Sequence, residues 1–105
     1  MKDTTPCTVT LARGGLYLSR QICERYFAGL ETVILLWRGE DLWIMPVRHA
    51  AAGGYLLKRR NRLGDRLIHA PDFLREHGFD DLSEREFSVR WDDTHAALIA
   101  ELANL

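Results

Sequence analysis

The chain of 105 residues carries 47% hydrophobic and 28% charged residues and a formal net charge of -1. That length supports one hydrophobic core, so residues 1–105 are read as a single domain, and the apolar fraction excludes an intrinsically disordered chain. A charge so near neutral gives no whole-molecule attraction to nucleic acid or acidic lipid, which leaves any such binding to a local patch.

No window approaches the roughly 18 consecutive apolar residues that cross a bilayer. The opening Met1-Lys2-Asp3-Thr4-Thr5-Pro6 also lacks the apolar core of a secretion signal, so a cytoplasmic protein without membrane contact is expected. Cys7 and Cys23 are too few for a disulfide framework and read as reduced thiols, with Cys23 buried.

In chain order, residues 8–11 alternate polar and apolar, and Ala12-Arg13-Gly14-Gly15 supplies a tight turn into Leu16-Tyr17-Leu18, which makes a hairpin. Ser19 is an N-cap for a short helix of residues 20–28. Ile22, Cys23, Tyr26 and Phe27 form its apolar face, and Gly29 stops it. The run Thr32-Val33-Ile34-Leu35-Leu36-Trp37 turns through Arg38-Gly39-Glu40-Asp41 into Leu42-Trp43-Ile44-Met45, a second hairpin whose end is marked by Pro46.

Residues 48–54, small and glycine-rich, read as a connector. The same order of elements then returns. Tyr55-Leu56-Leu57 begins a strand, Leu63-Gly64-Asp65 is a turn, and Arg66-Leu67-Ile68-His69 is the returning strand. Pro71 opens a helix of about two turns that ends before Gly78. In Phe87-Ser88-Val89-Arg90-Trp91 the strict alternation turns Phe87, Val89 and Trp91 inward. The last apolar segment, residues 96–100, has helix-favouring residues, but hairpin symmetry decides for strand.

Residues 16–23 lie over residues 67–74 without a gap. With a shift after the helix Trp37 falls on Trp91, and one further turn residue brings Leu42-Trp43-Ile44 onto Ala97-Leu98-Ile99. The expected fold is therefore α+β, with two pseudo-repeated strand-helix-hairpin units at about 8–47 and 55–102 enclosing one small barrel-like core. This order of elements resembles the AbrB-type swapped-hairpin transcription factors and their tandem form, the MraZ group. Gly14, Leu16, Leu18, Arg20 and Ile22 match the family pattern in the first unit, and Arg66, Leu67, Asp72 and Phe73 match it in the second. Gly15, Ser19, Gln21, Cys23, Asp65 and Ala70 depart from it, and neither Gly-Arg turn carries the Asp-x-x-x-Arg signature of MraZ. The resemblance implies a DNA-binding regulator that assembles as a homo-oligomer.

Charge is uneven along the chain. Lys58, Arg59, Arg60, Arg62 and Arg66 cluster against one acid, Asp65, and are the candidate nucleic-acid contacts. On a regular hairpin arm Lys58, Arg60 and Arg62 share a side and track phosphates, while Asn61 reads a base edge or bonds the backbone. The alternative is a solvated edge strand whose charge prevents edge-to-edge pairing. The acidic segment 80–93 (Asp80, Asp81, Glu84, Glu86, Asp92 and Asp93), or an exposed aromatic patch, offers a protein-interaction face for an accessory module instead.

His49, His69, His77 and His95 lack a recognised metal-ligand spacing, and the pair Asp92-Asp93 reads as a turn that satisfies its own backbone. No nucleophile elbow and no phosphate-binding glycine loop occurs, so no cofactor and no enzymatic role is expected. Trp37, Trp43 and Trp91 are assigned to packing rather than to base stacking.

Overall fold

The computed structural model describes residues 7–47, 54–79 and 84–101. In the first half of the chain β1 (Thr8–Ala12) turns into β2 (Gly15–Leu18), α1 (Arg20–Tyr26) follows, and β3 (Thr32–Arg38) turns into β4 (Asp41–Val47). In the second half β5 (Tyr55–Leu56) and β6 (Lys58–Arg59) lead into β7 (Arg66–His69), then α2 (Pro71–Arg75), β8 (Glu84–Asp92) and β9 (Ala97–Glu101).

All strand pairs are antiparallel and join in the order β5-β3-β4-β9-β8-β1-β2-β7-β6. Its two ends, β5 and β6, are separated in the chain by Leu57 alone, whose N–H donates to the Glu31 carbonyl at 2.8 Å. The sheet therefore curls back on itself as a nearly closed nine-stranded barrel, an arrangement that removes most of the exposed edge.

This overturns the α+β expectation. Of the described residues 53% are strand and 14% helix. The helices are too small to form a layer: α1 has seven residues and buries Ile22 and Cys23, while α2 has five and buries Leu74. The interior is built from strand side chains, among them Val9, Leu11, Leu16, Leu18, Val33, Leu35, Leu42, Ile44, Ile68, Phe87 and Leu98. Two short amphipathic stretches in a sequence look like half of a fold, although the alternating strands carry most of the apolar surface.

Four of the eight strand pairings join the two halves. On its outer sides the β1–β2 hairpin bonds to β8 and β7, with Val9 opposite Phe87 and Leu16 opposite Ile68. β4 likewise pairs with β9, Trp43 lying opposite Ile99. Neither half closes its own sheet. The aromatic contacts cross in the same way: Tyr26 stacks on Trp91 at 4.6 Å between centroids, and His77 stacks on Trp37 at 3.9 Å. Packing is thus what the tryptophans do, and Trp37 also stacks on Phe73 at 5.2 Å.

At the local level most sequence features are met, with one failure of register. Arg13 and Gly14 both take positive φ, 51° and 73°, as a two-residue turn with the twist of a tight hairpin requires. The Ser19 hydroxyl accepts from the Ile22 N–H at 3.3 Å, which makes it the N-cap of α1. Residues 97–101 form a strand. The turn alignment fails by one residue, however. Arg38 pairs with Asp41 across two turn residues, and Asp92 pairs with Ala97 across four, so the second turn is longer by two rather than one. Leu42 thus corresponds to Leu98, and a slip of one residue exchanges the faces of a strand. Leu98 and Ala100 join the main core cluster, while Ala97 and Ile99, on the other side of the strand, are buried as well.

Ile68 is fully buried in β7, where it meets Leu16 across the boundary between the halves. Ile68→Ala is expected to destabilise the chain by about 2–5 kcal/mol, measured as a shift in urea unfolding, with both tryptophan fluorescence and far-UV circular dichroism moving in one transition.

Candidate nucleic-acid interface

The five candidate basic residues, Lys58, Arg59, Arg60, Arg62 and Arg66, lie on the β6–β7 hairpin and its connecting loop. Lys58 and Arg59 form β6, and Arg59 pairs directly across from Arg66 at the start of β7. The ladder ends there. Residues 60–65 form a loop closed by the Arg60 N–H donating to the Asp65 carbonyl at 2.8 Å. Strand alternation therefore does not extend through Arg62, and the expectation that Lys58, Arg60 and Arg62 share a side is not met.

Arg59, Arg62 and Arg66 instead line one groove of about 290 Å³, together with Arg20, Glu24 and Gly64. Arg60 goes to the opposite side of the hairpin, where its guanidinium lies 4.9 Å from the centre of the Tyr17 ring, beside Thr8, Thr10 and Glu86. Lys58 lines an adjoining depression with Glu31 and Leu56, whose walls also include Arg59 and Arg66. Arg66 is half-buried, and its Nη1 donates to the Leu57 carbonyl at 2.9 Å, which fixes one guanidinium at the groove wall.

Arg20 is the groove residue that the charge pattern of the sequence does not reveal, because it stands far from the basic cluster along the chain. β2 pairs with β7, and this brings the start of α1 against the hairpin loop. Its place in the family-like pattern of the first unit is the one available signal.

The loop owes its shape to two side chains. Asn61 Oδ1 accepts from the Leu63 N–H at 3.0 Å and the Asp65 N–H at 3.2 Å, while Asn61 Nδ2 donates to Asp65 Oδ2 at 2.9 Å. Asp65 Oδ1 accepts from the Arg20 N–H at 2.8 Å and so ties the loop to α1. Asn61 is thereby committed to the backbone, the second of its two expected roles. Gly64 sits between them at φ +101°, and a Cβ there would meet Arg20 Cγ at 2.8 Å, so the loop lies directly on the Arg20 stem.

Electrostatically the groove is unbalanced. Two arginines directly opposite on neighbouring strands repel each other. Among the described residues, the one ion pair at the groove is the long Arg20–Glu24 contact at 3.9 Å, with both side chains more than half exposed. Asp65 is held below the usual carboxylate range, first by the Asn61 amide and then by the Arg20 N–H. Cys23 also lines the groove, but burial raises its thiol to about 11, against the weaker pull of Arg66. At neutral pH it is a protonated, unreactive thiol.

Elsewhere, Asp92 accepts from the Thr94 N–H at 2.9 Å and lies 2.9 Å from His95 Nδ1, which holds its carboxyl below the usual range. Asp93 accepts from Trp91 Nε1 at 2.7 Å. These interactions account for the paired acids as a turn. Residues 80–83 of the acidic segment, and His49, lie outside the described residues. Among those described, no three His, Cys, Asp or Glu side chains converge as a metal site, and no helix is long and apolar enough to cross a membrane.

Comparison of the chain with protein-family models, with curated proteins and with solved structures returned no match.

The lowered pKa of Asp65 sets a pH dependence. Its ionised form accepts both hydrogen bonds, so the stabilisation is present above the unfolded carboxylate value of about 3.9 and is lost as pH falls through the lower folded value. Asp65→Asn is expected to lower the urea midpoint at neutral pH, and the gap from wild type should narrow below about pH 4.

Proposed function

We propose that this chain is a DNA-binding regulator that holds the phosphate backbone with the β6–β7 hairpin, chiefly through Arg59, Arg62 and Arg66 together with Arg20. One observation carries the reading: four arginines line a single groove in which two of them oppose each other directly and one exposed carboxylate, Glu24, is in ion-pair range. Such mutual repulsion costs folding energy, and an anion with regularly spaced charges offsets it. Arginine suits phosphate because its planar fork donates two parallel hydrogen bonds.

The resemblance to the AbrB and MraZ group supports the regulatory part of this reading, and the groove supports the phosphate contact. Lys58 and Arg60 extend the positive surface on either side. A symmetric homo-oligomer would present two hairpins at once, as recognition of paired half-sites requires. On this reading the protein acts in the cytoplasm without enzymatic turnover, and Cys7 and Cys23, which are free thiols, stay reduced.

A non-enzymatic accessory module is the second reading, and one observation favours it. The outer face of β3, with the neighbouring β5, exposes Ile34 at 38%, Leu36 at 37% and Leu56 at 59%. These side chains are aliphatic, and differ from both the acidic segment and the aromatic patch that the sequence offers as alternatives for such a face.

Retention on heparin and binding to a mixed-sequence DNA duplex separate the two. Full engagement of four arginines predicts that the logarithm of affinity falls against the logarithm of salt with a slope of about −3.6. Arg59→Ala combined with Arg62→Ala should reduce that slope to about −1.8 and weaken binding by a similar factor on unrelated sequences, with Arg60→Ala having a smaller effect. Flow-through of the wild type at low salt would overturn the regulator reading.

A further inference from the structure

The groove holds its arginines on three separate pieces of chain: Arg20 on α1, Arg59 and Arg66 on paired strands, and Arg62 in the loop. Strand pairing fixes the second set. It does not extend to Arg62, because the ladder ends at the Arg59–Arg66 pair, and through the Leu18–Arg66 register it brings only the start of α1 beside the loop. What spans the gap is the pair of side chains in the loop. Asn61 gathers Leu63 N–H and Asp65 N–H around one oxygen, and Asp65 joins Asn61 to the Arg20 backbone.

Asp65 is an unexpected residue for this place if charge alone mattered. A carboxylate within reach of the Arg60 and Arg20 charges lowers the local positive potential and competes with phosphate for it. None of the ion pairs among the described residues links Asp65 to a guanidinium within 4.0 Å; its two oxygens are taken by the Asn61 amide and by a backbone N–H. The acid therefore serves the geometry of the loop, and its charge reaches Arg60 and Arg20 without an ion pair to either.

We propose that Asp65 and Asn61 form a clamp that positions Arg20 and Arg62 for phosphate, so that anion binding depends on the clamp more than on the net charge of the hairpin. The inference rests on the phosphate-binding reading of the groove. Both are positioning residues: they touch backbone and each other and leave the contact with the ligand to the arginines.

Charge and geometry predict opposite signs. If charge dominates, Asp65→Ala, which makes the hairpin more positive, tightens binding, and the neutral change Asn61→Ala does nothing. If the clamp sets the geometry, both substitutions weaken binding, by about tenfold for each phosphate that is no longer held, and the salt slope becomes shallower by about 1 although Asp65→Ala has added positive charge. Asp65→Asn keeps one acceptor and should fall between wild type and Asp65→Ala.

The experiment titrates the full chain with a fluorescently labelled duplex of mixed sequence, about 20 base pairs long, at several salt concentrations. Far-UV circular dichroism confirms folding at the working temperature. Should Asp65→Ala not fold, Asn61→Ala and Asp65→Asn carry the same comparison. Weaker binding with a shallower salt slope in these variants is the expected result, and a merely structural loss of stability would not move the slope of the folded protein. Equal or tighter binding by Asp65→Ala overturns the clamp while leaving the groove reading standing. Absence of binding by the wild type overturns both.

Discussion

Antiparallel pairing between the two halves of the chain is the constraint on which the rest of the structure depends. β1 and β2 find partners in β8 and β7, and β4 finds one in β9, so each half completes the sheet of the other. Hydrophobic burial follows from that pairing, because the inward rows of Val9, Leu11, Leu16 and Leu18 meet Ile68, Phe87 and Leu98 only when the halves interlock. The two short helices contribute one or two buried side chains each and sit where strands cross from one hairpin to the next.

The same pairing creates the groove. Arg20 and Arg66 are distant in sequence, yet the Leu18–Arg66 register puts the start of α1 beside the β6–β7 loop. A cation cluster assembled from both halves is a property of the fold and not of the basic segment alone. The Arg59–Arg66 opposition is the least favourable arrangement in it, and among the described residues Glu24 alone stands in ion-pair range of the groove.

Much of the architecture was legible as pattern. Strict alternation in residues 87–91 marked the inward face of β8, Ser19 marked the start of α1, and the Arg13-Gly14 pair marked the first turn. Such features are local, and local chemistry decides them. The fold class is not legible because two short amphipathic stretches carry as strong a sequence signal as the strands, and helix length, not helix presence, decides whether a layer forms. The register of the last hairpin was missed because turn length is set by the conformation of residues 93–96, where Ala96 takes φ 50°, a choice its side chain does not announce. At the groove, the arginines of the basic segment were visible in the sequence and their grouping was not. Alternation was carried past the end of a ladder that only pairing could locate, and Arg20 joins through a contact between distant strands.

The interlocked pairing also bears on how the chain is made. Thr8 and its hydrogen-bond partner Glu86 are 78 residues apart, so the first hairpin leaves the ribosome long before the strand that flanks it exists. Until then its outer edge is an unsatisfied row of backbone groups, open to pairing with a neighbouring nascent chain. A polypeptide that must wait for its own far end is slow to fold, and an equivalent second half supplied in trans could occupy the same place.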